Sequence, residues 1–239
     1  MIIAHRGASG TVPENTELAI HTAIISRADL IEIDVQLTAD GHIVLFHDRD
    51  LQRLTGRAQR IADLDLATIQ QIDVGSWFRP EFNQLRIPTL KQVLAHTTGQ
   101  SWIVEIKPSD QTHQLESQVL ELLDQYAGLG NGYISVRDLQ SYDWITNHSS
   151  YRVGLMQKHR SPAEFFEMVQ DHGIPIIQIR SEGFGTDYQR LTTFPGEAYV
   201  YYGNTPEAWD FLRKQPIDGI LTNYPAVMRA YYLLHPFDS

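Results

Sequence analysis

The chain has 239 residues, 42% hydrophobic and 20% charged, with a formal net charge of −10 and no cysteine. That composition excludes the disordered and fibrous classes, and the lack of thiols excludes disulfide frameworks, thiolate catalysis and cysteine-ligated metal sites. The negative average field repels polyanions, so no nucleic-acid partner is expected.

The first β-type apolar run, residues 1–4, leads straight into His5-Arg6-Gly7, without the charged and apolar regions of a secretory leader. No apolar run approaches the ~18 residues a membrane span needs, so the expectation is a cytoplasmic protein without stable membrane insertion. Further β-type runs follow at 30–35, 102–106, 132–136, 151–156, 174–179, 198–202 and 219–222. Between them lie segments of helical period, such as Leu115, Val119, Leu122, Leu123 and Tyr126, which fall on one face. Thr89 with Gln92 and Ser161 with Glu164 have capping-box spacing, Thr205-Pro206 places a cap before an N1 proline, and Gly173 is a helix stop.

Eight alternations of strand and helix imply a parallel sheet, since parallel neighbours need crossover connections. The reading is an α/β protein with a TIM (β/α)8 barrel, one domain over residues 1–239, in preference to an open doubly wound sheet. A small insertion after the second strand, about residues 38–88, breaks the rhythm. Residues 36–48 read as a hairpin turning at Asp40-Gly41. Beyond it come a helical piece near 64–72 and an aromatic segment at 77–82 that is placed to cap the barrel mouth.

Active sites of such barrels lie at the carboxyl ends of the strands. Glu32 and Asp34 are two apart in a strand and share a face, and Glu105 and Lys107 repeat the arrangement. Buried carboxylates usually carry a cation or form ion pairs, so the competing reading is a stabilising network with Arg6 and Lys107. Three carboxylates suit a hard divalent metal, Mg2+ or Ca2+, whereas zinc would recruit histidine or cysteine. His5 and His47 each end a β run, and one neutral and one protonated imidazole can divide the base and acid roles of a displacement at phosphorus. The remaining histidines read as surface groups, and the aromatics Trp77, Phe78, Phe82, Tyr201 and Tyr202 are given no catalytic role.

Five motifs in order resemble the glycerophosphodiester phosphodiesterase family: HRGASGTVPENT at 5–16, EIDVQLTADG at 32–41, VLFHD at 44–48, IPTL at 87–90 and EIK at 105–107. The resemblance covers essentially the whole chain. It implies that Glu32, Asp34 and Glu105 hold the metal, that His5 and His47 are the general acid and base, and that Arg6 and Lys107 contact the phosphate. The implied reaction is hydrolysis of a small-molecule glycerophosphodiester to sn-glycerol 3-phosphate and an alcohol. Rival readings are a lysophospholipid or other phosphodiester hydrolase and a non-catalytic phospho-metabolite-binding barrel. The carboxy-terminal half departs from the family pattern at three expected pocket positions, Val136, Tyr201 and Asn223, while Asn204 matches it.

Overall fold

The computed structural model describes residues 1–109, 113–126, 128–181 and 188–236. Its strands are β1 (Ile2–His5), β2 (Leu30–Leu37), β3 (Ile43–Leu45), β4 (Trp102–Ile106), β5 (Tyr133–Val136), β6 (Val153–Met156), β7 (Ile176–Arg180), β8 (Glu197–Tyr201) and β9 (Gly219–Thr222). The helices are α1 (Glu17–Ile25), α2 (Gln52–Thr55), α3 (Leu66–Ile69), α4 (Leu90–His96), α5 (Gln114–Gln125), α6 (Leu139–His148), α7 (Pro162–Asp171), α8 (Tyr188–Leu191), α9 (Pro206–Leu212) and α10 (Pro225–Leu234). The sheet runs β1-β9-β8-β7-β6-β5-β4-β2-β3, and a further pairing of β1 with β2 closes it. Closure rules out the open sheet: eight parallel strands form the barrel, and β3 lies antiparallel on β2, paired Val35 with Leu45 and Leu37 with Ile43.

Period two sorts each strand's residues between two cores. Ile2, Ala4, Ile31, Ile33, Val104 and Ile134 face outward and pack beneath the helices. Their alternates Ile3, Leu30, Ile103, Tyr133, Tyr199 and Leu221 fill the barrel. Both sets are essentially fully buried, at about 1.5–3 kcal/mol for each Val-, Leu- or Ile-sized side chain removed from water. The same parity that sends Leu30 inward sends Glu32 and Asp34 inward one and two steps nearer the strand's carboxyl end. The register aligns Asp34 with Glu105, and His5 with Glu32, across neighbouring strands.

The capping boxes at Thr89 and Ser161 form as expected, with side chain and N3 partner bonded reciprocally. Thr205 caps α9 ahead of Pro206, and Gly173, at φ +61°, follows the end of α7. The helical piece expected over 64–72 is shorter and split. A 3-10 turn at Ile61–Asp63 gives way to extended backbone at Leu64, and Asp65 then caps the single turn of α3 through Thr68 N–H. The insertion has its own core, in which Val44, Phe46, Leu54, Ile61, Ile69 and Ile87 are buried together.

Candidate active site

The chain turns sharply where β1 ends. Arg6 and Gly7 both lie in the left-handed region, at φ 58° and 77°, and a Cβ on Gly7 would sit 2.6 Å from the backbone of Ala19. Only glycine lets the loop approach α1 so closely. The turn directs Arg6 N–H to Glu32 Oε2 at 2.8 Å and extends its guanidinium to Glu14 (Nη1–Oε1 2.8 Å) and Asp34 (Nε–Oδ2 3.4 Å). Asn15, also left-handed at φ 54°, holds Asp34 from two sides: its amide donates to Oδ2 at 2.8 Å, and its Oδ1 accepts from Asp34 N–H at 3.2 Å.

Glu32, Asp34 and Glu105 bring one carboxylate oxygen each to within 4.8 Å of one another, all three buried. Burial, then Asp34 and Glu105 beside it, pushes the Glu32 carboxyl well above the ordinary range. Burial would also push Asp34 up, but Lys107 and Arg6 outweigh it and hold the group well below its usual value. Lys107 Nζ stands 2.5 Å from Asp34 Oδ1 and also pairs with Glu105. Its ammonium is thus turned into the carboxylate cluster and does not line the open cavity. Glu32 Oε1 is buried and has no hydrogen-bond donor among the described residues. An all-oxygen donor set with one orphaned carboxylate oxygen fits a hard divalent cation, so these residues form a group able to hold a metal ion.

His5 lies beside the cluster, with Nε2 4.0 Å from Glu32 Oε2. Its Nδ1 is 2.8 Å from Asn223 Oδ1. An amide oxygen can only accept, so Nδ1 carries the proton and Nε2 keeps its lone pair toward the cavity. Burial first, and then the charge of Arg6, lowers this imidazole to about 4, so it is neutral near pH 7. Asn223 is itself fixed by Asn204, whose Oδ1 accepts its backbone N–H at 2.7 Å. His47 Nδ1 is 2.7 Å from Asp48 Oδ1. Asp48 also receives Arg53 Nε at 2.5 Å, and Arg53 reaches back to Glu14 at 2.7 Å, tying the insertion to the loop after β1. Burial raises Asp48, but the hydrogen bonds from His47 and Arg53 prevail and hold it at about 2.

Two cavities of about 350 Å³ each meet at His5, Arg6, His47 and Tyr202. One is lined by Glu32, Glu105, Arg137, Lys158, Arg180 and Tyr201, and the other by Ser9, Glu14, Arg53, Trp77, Tyr202 and Asn223. Sequence reasoning named His5, His47, Arg6, Glu32 and Glu105, all of which the fold brings to this mouth. It missed Asn15, Asp48, Arg53 and Arg137 as supporting groups, although the PENT and HD motifs already carried the first two. Of the three departures, Val136 faces the helices and touches neither cavity, whereas Tyr201 and Asn223 both line the site. Two other histidines do not behave as plain surface groups. His113 is half-buried and stacked 5.1 Å from Trp144, and exposed His159 borders the first cavity.

Residues 5–170 match the Glycerophosphoryl diester phosphodiesterase family. A glycerophosphodiester phosphodiesterase of Bacillus subtilis is 30% identical over 94% of this chain and 84% of its own length. A glycerophosphodiester phosphodiesterase of Caldanaerobacter subterraneus is 42% identical over 45% of this chain and 44% of its own. Among solved structures, a phosphodiesterase from Oleispira antarctica in complex with the product sn-glycerol-3-phosphate superposes with a TM-score of 0.84 at 25% identity, over 97% of this chain and 96% of that one. A glycerophosphodiester phosphodiesterase from Thermotoga maritima gives 0.77 at 26% identity, over 96% of each.

Proposed function

The chain belongs to the glycerophosphoryl diester phosphodiesterase family and is a phosphoric diester hydrolase that cleaves glycerophosphodiesters to sn-glycerol 3-phosphate and an alcohol; from that premise we propose that the cleavage depends on a divalent cation held by Glu32, Asp34 and Glu105, with His5 and His47 as the proton-transfer pair. The observation that carries this reading is the convergence of three buried carboxylates, one with an orphaned oxygen, between two imidazoles at the mouth of the barrel. When bound, a divalent cation supplies Lewis-acid stabilisation of phosphoryl charge and a template for the substrate.

Arg6 faces the same cavity and stabilises charge on the phosphoryl oxygens as it develops. Lys107 contributes its charge from between Asp34 and Glu105. His5, neutral and with Nε2 unprotonated, is the base that accepts a proton from the attacking hydroxyl. His47 donates Nδ1–H to the Asp48 carboxylate, which fixes its ring with Nε2 directed away from that partner, and it is assigned as the acid that protonates the departing alkoxide. Arg53 and Asn223 keep the two rings in orientation through Asp48 and Nδ1 respectively.

The test is release of sn-glycerol 3-phosphate from glycerophosphocholine and glycerophosphoglycerol by chelator-stripped protein, with Mg2+, Ca2+ or no metal returned. Release that needs the added ion is expected. Undiminished release after stripping would refute the metal assignment.

A further inference from the structure

The residues that border both cavities at the barrel mouth are His5, Arg6, His47 and Tyr202. On the reading above, the first three act in the reaction as base, phosphoryl contact and acid, so the reacting phosphoryl group belongs where the cavities meet. Tyr202 stands at the same place with no part assigned to it. Its backbone is strained: at φ +74° it lies in the left-handed region, where a bulky L-residue is a steric outlier and glycine the usual occupant. The glycine at the next position does not relieve this. Gly203 lies outside the left-handed region, and a Cβ there would meet the Ile220 side chain at 2.4 Å. Core packing does not offset the strain either, since Tyr202 is 41% exposed and its hydroxyl has no hydrogen-bond partner among the described residues. The conformation instead brings the ring against His5, with centroids 5.7 Å apart and planes at 88°, and against Tyr201, at 4.9 Å and 71°. A strained, exposed side chain that persists beside a reacting group is the pattern expected where strain serves function.

The His5 ring has one hydrogen-bonded side-chain anchor, from Nδ1 to Asn223 Oδ1. A single bond of this kind leaves the imidazole able to tilt about the Nδ1–Oδ1 line, and tilting swings Nε2 away from the hydroxyl whose proton it takes. A second ring set perpendicular to the imidazole opposes that tilt by contact and attracts it through the edge-to-face arrangement. We infer that Tyr202 is a positioning residue for the base: its ring, and not its hydroxyl, holds the His5 imidazole with Nε2 directed to where the cavities meet. The inference rests on the assignment of His5 as the base.

Two substitutions separate ring from hydroxyl. Tyr202→Asn removes the ring but leaves a residue that tolerates the left-handed region, and Tyr202→Phe removes only the hydroxyl. Both are compared with the wild type as metal-loaded enzyme on glycerophosphocholine or glycerophosphoglycerol, whichever is cleaved faster. Tyr202→Asn, checked for native circular dichroism, is expected to lower kcat about tenfold to a hundredfold with KM little changed, as a small misplacement of a reacting group does, and Tyr202→Phe to stay within about threefold of the wild type. The deciding measurement repeats Tyr202→Asn in the His5→Ala background, where no imidazole remains to be positioned and no further loss is expected. An undiminished kcat in Tyr202→Asn, an equal loss in Tyr202→Phe, or the full loss repeated in the His5→Ala background overturns the positioning role while leaving the phosphodiesterase reading intact. Near-normal turnover in His5→Ala alone overturns the assignment of the base, and this inference with it.

Discussion

His5 is held by three different constraints: a left-handed turn behind it, an amide oxygen on Nδ1, and a carboxylate within 4.0 Å of Nε2. Its replacement by alanine removes the proton acceptor, and that of His47 the proton donor, while Glu32, Asp34 and Glu105 all keep their carboxylates. Each variant, His5→Ala and His47→Ala, is expected to lower kcat by about 10²–10⁴-fold, the usual contribution of a positioned general acid or base. Titration calorimetry with Mg2+ should show nearly unchanged binding, and near-normal turnover in either variant would remove that histidine from the reaction. Gly7 supports the same turn sterically. A methyl there meets the Ala19 backbone at 2.6 Å, so Gly7→Ala should destabilise the fold by about 1–3 kcal/mol in urea unfolding, with activity falling in parallel as Arg6 shifts. Residues of this kind differ in how far a sequence reveals them. His5, Glu32 and Glu105 stand out because a charged or titratable group at a strand end is chemically conspicuous. Asn15, Asn223 and Arg137 act through contacts made across 19 to 218 positions of the chain only after the barrel has closed, and an asparagine in a loop has no periodicity to announce it.

The barrel strands were legible element by element because buried parallel strands read as short β-branched runs, and the capped helices because Thr89, Ser161 and Thr205 carry their start signals in the side chain itself. The insertion was less so. Past the β2–β3 hairpin, which its Asp40-Gly41 turn announced, its elements are single turns whose stability comes from their own small core and from ionic anchoring, so local propensity describes them poorly. That anchoring can be measured. Asp48 is held at about 2 in the folded protein, against an ordinary value of about 3.9 for an unfolded aspartate. Because the folded value is the lower one, the stabilisation is fully present above about pH 4 and is lost as pH falls from there toward 2. Glu14, lowered despite its burial by Arg53 and Arg6, changes in the same direction. Asp48→Asn should therefore be less stable than the wild type at pH 6, with the difference in denaturant midpoint shrinking steadily between pH 4 and pH 2. A constant difference across that range would mean that the clamp to Arg53 contributes no net charge interaction.

At the scale of the whole molecule, the two ends of the barrel are unequal. The interior below the site is filled by apolar and aromatic side chains, while its carboxyl end gathers three acids whose mutual repulsion and burial disfavour Glu32 as an anion. Lys107 and Arg6 neutralise part of that charge, yet Glu32 Oε1 stays without a donor among the described residues. A ligand that binds the folded state and not the unfolded one stabilises by mass action, about 2.7 kcal/mol at 100 times its dissociation constant. For a chain of this size, at about 2–4 °C per kcal/mol, that corresponds to a rise in Tm of roughly 5–11 °C. Mg2+ and Ca2+ should both raise Tm in a fluorescence melt of chelator-treated protein, and Glu32→Gln should abolish most of the rise while raising the Tm of the metal-free protein. That second effect separates the alternatives. If the acids instead form a closed ionic network with Arg6 and Lys107, neutralising Glu32 breaks a favourable pair, the metal-free Tm falls, and neither cation moves it.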